Sequence, residues 1–173
     1  MDVTHRWLRG YHINWKTGLR DRDDFEDGHR THCNSFVNAV TDKLGIYMER
    51  PGSRYYKTNA NAQYDWLITK QAKKSGWHLM EGDDPLKIYY TAQQYANHGM
   101  VVVAVYKNKN ESKPGHIALI RPAAVTKEQI DVMGPVLIQA GGYNSDSTFL
   151  IDGFRKRIKI WPNPEIKLYC NTE

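Results

Sequence analysis

The chain has little cysteine, no long apolar run and no repeat. Only two of its 173 residues are cysteine, Cys33 and Cys170, which argues against a disulfide-stapled scaffold. No stretch approaches the roughly 20 apolar residues of a membrane-spanning helix, so no membrane insertion is expected. The opening residues, Met1-Asp2-Val3-Thr4-His5-Arg6-Trp7-Leu8-Arg9-Gly10, lack the apolar centre of a signal peptide, and the expectation is a chain made in the cytoplasm. Without internal repeats, low-complexity tracts or a Pro/Ser-rich linker, residues 1–173 read as one domain, expected to be a monomer. Gly141-Gly142 lacks the lysine and following helix of a phosphate loop and reads as a turn.

What is present is charge and aromatic surface. Lys and Arg number 24 against 19 Asp and Glu, for a net charge of +5, and there are eleven Tyr and five Trp. A basic chain dwells near polyanions, whether a bacterial wall, a nucleic acid or an anionic membrane, and charge alone does not choose among them. The runs Arg20 to Gly28 and Arg155 to Lys159 read first as solvated surface, the former a loop. For the latter the sharper alternative is an anionic partner.

Helical spacing runs from Cys33 through Phe36, Val37, Val40 and Leu44, stopped by Gly45. A second helix is expected over Ala60 to Lys74, with Tyr64, Leu67, Ile68 and Ala72 inward, and a third from Pro85 to His98 before Gly99. Strand-like runs follow at Met100 to Tyr106, Gly115 to Arg121 and Pro135 to Ala140, with shorter ones at Ser147 to Asp152, Ile158 to Trp161 and Ile166 to Tyr169. Helices first and an antiparallel sheet after predict an α+β fold, N-terminal helices lying on one face of the sheet.

Cys33 then stands on a first helical turn, where unpaired N–H groups and the helix dipole favour a thiolate. His116 starts a strand, on one face with Ala118 and Ile120, the small Ala118 leaving room for the cysteine helix. Gln139 ends the next strand. A nucleophile, a base and a group holding the base in one tautomer are what a cysteine hydrolase needs. Each alone has a plainer reading: a buried small hydrophobe, a structural histidine, an amide satisfying loop backbone. Their joint order favours the catalytic one.

Cys33-Asn34-Ser35-Phe36-Val37, the run from Gly99 to Val105, Pro114-Gly115-His116-Ile117-Ala118-Leu119-Ile120 and Ile138-Gln139-Ala140-Gly141-Gly142-Tyr143-Asn144 resemble successive motifs of the CHAP/NlpC-type cysteine amidases and peptidases. The resemblance spans roughly residues 30 to 155. It implies a papain-like fold and cleavage of peptidoglycan amide bonds, with Cys33 as nucleophile, His116 as general base and Gln139 as the orienting residue. Many relatives carry Glu or Asn at that third place, and Asn144 is the reserve. His32 and Asn34 flank the nucleophile as candidates for tuning or substrate binding, and a second oxyanion donor is expected within residues 27–32.

No cofactor is expected. His29, His32 and Cys33 with the distant His116 or Cys170 make a weak zinc pattern, so no metal is expected either. The resemblance implies a wall hydrolase delivered to a target cell's periplasm or released by lysis, with a cognate immunity protein as partner and no specific nucleic acid. The rivals are a deamidase or acyltransferase toxin on the same fold, and a catalytically silent wall- or nucleic-acid-binding module.

Overall fold

The run Val101-Val102-Val103-Ala104-Val105 has no polar residue to turn toward water, so a strand built from it must be covered on both faces. The computed structural model, which describes residues 2–25, 32–49 and 59–173, has that arrangement. In chain order the elements are α1 (Val3–Arg6), β1 (Tyr11–Ile13), β2 (Arg20–Phe25), α2 (Cys33–Lys43), α3 (Ala60–Leu67), α4 (Lys70–Lys74), β3 (Trp77–Leu79), α5 (Pro85–Asn97), β4 (Val101–Tyr106), β5 (His116–Ile120), α6 (Lys127–Met133), β6 (Val136–Gln139), β7 (Ser145–Phe149), α7 (Leu150–Gly153) and β8 (Ile166–Asn171). Six strands form one antiparallel sheet in the order β3-β8-β4-β5-β6-β7, and β1 with β2 forms a separate ribbon.

Alternation along the strands splits the core in two. Val103, Val105, Ile117, Leu119 and Tyr169 pack with Phe36, Val37 and Cys33 of α2 and with Leu67 of α3. Val102, Ala104, Ala118, Ile120, Leu137 and Leu168 pack with Tyr89, Ala92 and Ala96 of α5, Ile130 of α6 and Phe154. The expected one-faced layering is therefore corrected, since helices lie on both faces. Small residues let α5 approach closely, Ala92 and Ala96 meeting Ala104 and Ala118.

Local chemistry explains the other departures. The expected helix Ala60 to Lys74 is broken after Leu67, because Thr69 accepts the Ala72 N–H at 3.2 Å and caps a new helix. Ile68 and Leu44, expected inward, fall at helix ends and stand exposed at 59% and 58%. The charged segment Arg20–Phe25 is a strand paired with β1, not a loop. Residues 158–161 are not a strand: Trp161 donates its indole N–H to the Asp131 carbonyl at 2.9 Å and lies against Tyr89, strapping α5 to α6. The segment expected as a strand over Ser147 to Asp152 ends at Phe149 and turns into α7.

Gly45 and Gly99 follow their helices with φ of +75° and +88°, a region open to glycine. Asp84 caps α5 by accepting the Leu86 N–H, with Pro85 in the first turn. Among the described residues no helix is long and apolar enough to cross a membrane.

Candidate active site

Cys33 begins α2 directly after the N-cap His32, so its backbone N–H and those of the next residues have no partner within the helix. Phe36 and Val37 anchor that first turn in the core at zero exposure. Gln63 of α3 latches it from behind. Its Nε2 donates to Asn38 Oδ1 at 2.9 Å and to the Asn34 carbonyl at 3.3 Å.

His116 begins β5 across from Tyr106 of β4. Two features fix the strand's entry. Gly115 approaches so closely that a Cβ there would overlap the Tyr106 carbonyl oxygen and come within 2.5 Å of Asn61 Oδ1. Asn61 in turn accepts the Asn108 N–H at 2.9 Å and donates to the Lys113 carbonyl at 3.1 Å, tying both sides of the β4–β5 turn to α3.

Antiparallel pairing of β5 with β6 brings Gln139 to the imidazole, His116 Nε2 standing 2.9 Å from Gln139 Oε1. The amide's orientation is set independently, because its Nε2 donates to the Tyr143 carbonyl at 3.1 Å. Oε1 is thus the acceptor, Nε2 of the ring carries the proton, and Nδ1 holds the lone pair of the neutral imidazole. Phe154 meets the ring edge-on with centroids 4.7 Å apart. Gly153 leaves space behind Gln139, since a Cβ there would lie 2.9 Å from Oε1 and 2.7 Å from Leu137 Cδ1.

The thiol does not share the imidazole's side of the sheet. The expectation that α2 lies over Ala118 is corrected: α2 covers the Ile117 and Leu119 face, whose bulkier side chains fill the space against Phe36 and Val37. The helix start meets the beginning of β5, so Cys33 Sγ is reached by the N–H of Ile117, the residue after His116, and by its own and the Asn34 N–H. Among the described residues no hydrogen bond joins Sγ to His116.

Burial governs both groups. Desolvation pushes the Cys33 thiol up despite those three N–H donors and the positive charge of Arg157. The expected thiolate is thereby corrected to a resting thiol, because loss of water outweighs the helix start. Desolvation likewise pushes His116 down to about 4, against the bond to Gln139 and with the help of Arg157. A neutral thiol and a neutral imidazole sit at the two ends of one peptide unit.

The other candidates have separate places. Asn144 accepts the Gly141 N–H at 2.9 Å and donates to the Val3 and Trp7 carbonyls at 3.3 and 2.5 Å, clamping α1 to the loop after β6 rather than touching His116. His32 is buried with its ring 6.3 Å from that of Trp7. Asn34 contributes backbone, its N–H toward Cys33 and its carbonyl toward Gln63. Residues 27–31, where a second oxyanion donor and His29 were sought, lie outside the described residues. Among the described residues no group of three or more His, Cys, Asp and Glu is placed to hold a metal ion.

A cavity of about 230 Å³ opens over His116 and Gln139. Its far wall is the segment from Asp152 to Arg157, which turns the basic run into part of the site. Asn61 and Gln63 escaped the sequence reading because buried amides on an amphipathic helix look like its wet face. Arg157 escaped because a charge run gives no sign of which member folds inward. No protein-family model matches the chain, and no curated protein matches it.

Proposed function

We propose that this chain is a cysteine-dependent amidase or endopeptidase of the papain-like CHAP/NlpC type, acting on amide bonds of bacterial peptidoglycan. The observation that carries the reading is the His116–Gln139 pair with its fixed tautomer, set one residue along β5 from the N–H that meets Cys33 Sγ. A helix that offers a cysteine at its start to an antiparallel sheet supports the papain-like assignment. The basic cleft suits a wall polyanion.

In this reading the first turn of α2 carries Sγ round the start of β5 to Nδ1 when substrate binds, because at rest the two groups lie on opposite faces of the sheet. Nδ1 takes the thiol proton as Sγ attacks the scissile carbonyl, while Nε2–H stays on Gln139. The Cys33 N–H at the open start of α2 stabilises the oxyanion. The protonated ring then gives its proton to the leaving amine. Water, deprotonated by the same Nδ1, attacks the thioester, the acid leaves, and Nδ1 returns the proton to the departing Cys33 thiolate. Delivery to a target cell's periplasm, or release by lysis, would bring the enzyme to this substrate, and an immunity protein would act by closing the cleft.

The open gap between Sγ and the imidazole favours a second reading, a silent wall-binding module. Purified protein with isolated peptidoglycan separates the two, using mass spectrometry of the soluble products. The hydrolase releases fragments with new amino termini, and Cys33→Ala and His116→Ala each lower the rate at least roughly a thousandfold. Turnover unchanged in Cys33→Ala refutes the mechanism, and binding without any product favours the module.

A further inference from the structure

The wall of the His116 cavity is predominantly cationic. Arg9, Arg155, Lys156 and Arg157 line it, with Asp152 as the one carboxylate there among the described residues. Among the described residues none of these four cations takes part in an ion pair. Like charges gathered around one concavity repel each other and focus a positive field into it, which an anion relieves.

Arg157 is the member nearest the chemistry. It is half-buried, and its guanidinium carbon lies 5.9 Å from the centroid of Tyr106, the residue paired with His116. One Nη donates a long 3.4 Å bond to the Pro114 carbonyl, two residues before His116. Its Nε is buried and has no acceptor among the described residues. The planar guanidinium fork of an arginine on a cavity wall matches a carboxylate. Its positive charge is felt at both Cys33 and His116.

We infer that the cavity is a carboxylate subsite: the substrate is an anionic peptide with a free carboxylate beside the amide presented to Cys33, and Arg157 is the residue that binds it. Arg9, Arg155 and Lys156 steer the anion toward the cleft. The position of the amide rests on the hydrolase reading above, whereas the anion site stands without turnover.

The test uses the full chain carrying Cys33→Ser and one peptidoglycan stem tetrapeptide, L-Ala-γ-D-Glu-meso-diaminopimelate-D-Ala, with its carboxyls either free or amidated. Calorimetric titration is expected to give roughly 10- to 100-fold tighter binding of the free acid. Arg157→Gln abolishes most of that preference, Arg157→Lys retains part, and added salt weakens the free acid selectively. Equal binding of the two peptides, or a preference unchanged in folded Arg157→Gln, overturns the inference. Should Arg157→Gln fail to fold, the Arg155→Gln/Lys156→Gln double variant tests the wall: a severalfold weaker preference supports the subsite and an unchanged one refutes it. Preferential binding of the free acid by a protein that cleaves nothing sinks the hydrolase and keeps the subsite. Cleavage of both peptides at one rate by the native chain does the reverse.

Discussion

Gln139 offers its Oε1 to His116 Nε2 across 2.9 Å because its own amide nitrogen is already committed to the Tyr143 carbonyl. The pair holds a neutral imidazole with the lone pair on Nδ1. It fixes a tautomer without supplying charge, unlike a carboxylate in the same place.

Replacing Gln139 by Glu is therefore expected to move the titration of His116 upward from about 4, since a carboxylate beside Nε2–H favours imidazolium. The acid limb of kcat/KM should move with it to higher pH, and NMR titration of the ring reads the same shift without turnover. A ring that titrates as before would show that the amide's charge state is irrelevant.

Stability should depend on His116 in a defined direction. Its folded value, about 4, lies below the ordinary 6.5, so between those pH values the unfolded chain binds a proton that the folded chain does not. The contribution is complete above 6.5 and is lost as pH falls through the window, amounting to about 3 kcal/mol. Urea denaturation at pH 7 and pH 4.5 should show the drop in the native chain and a smaller one in His116→Gln.

Cys33 is pushed above its ordinary range by burial, which predicts slow alkylation at neutral pH. In a Cys170→Ser background, iodoacetamide should react at pH 7 more slowly than with a free thiol, accelerating only on the alkaline side. Rapid labelling at pH 6 would mean a preformed thiolate, contrary to the resting thiol described here.

Gln93 of α5 joins the two strands that carry His116 and Gln139. Its Oε1 accepts the Val136 N–H at 2.8 Å and its Nε2 donates to the Arg121 carbonyl at 2.9 Å, all at zero exposure of the side chain. Gln93→Leu leaves the Val136 N–H buried and unpaired and strips the half-buried Arg121 carbonyl of its donor, and should cost about 1 to 3 kcal/mol. Gln93→Glu keeps the acceptor but sets a carboxylate oxygen against the Arg121 carbonyl, so it should match Gln93→Leu at neutral pH and recover only where the acid is protonated, as chemical denaturation of the two variants across pH will tell.

Strands β4, β5, β6 and β8 were legible because β-branched runs bounded by Asn, Pro and Gly have few alternatives, whereas β1 and β3 are too short to announce themselves, β2 read as a loop, and the order across the sheet came from the structure. The two-sided burial was missed although the unbroken apolar run of β4 signals it, because the helices-first order was read as one covered face, and reading β5 for alternation around His116 put α2 on the wrong face. Helix α6 escaped notice although Thr126 and Gln129 form a capping box, each side chain bonding the other's backbone N–H. In the site, the types Cys, His and Gln and their order came from the sequence. The resting protonation did not, because burial is a property of the surroundings and the helix start is only one term in it.

Strand β8 lies between β3 and β4, though it is made last of the six. Until Ile166–Asn171 leaves the ribosome, β4 presents a bare apolar edge and the sheet beneath α2 and α5 is unfinished. Such late, long-range pairing makes for slow folding and exposes the nascent chain to aggregation.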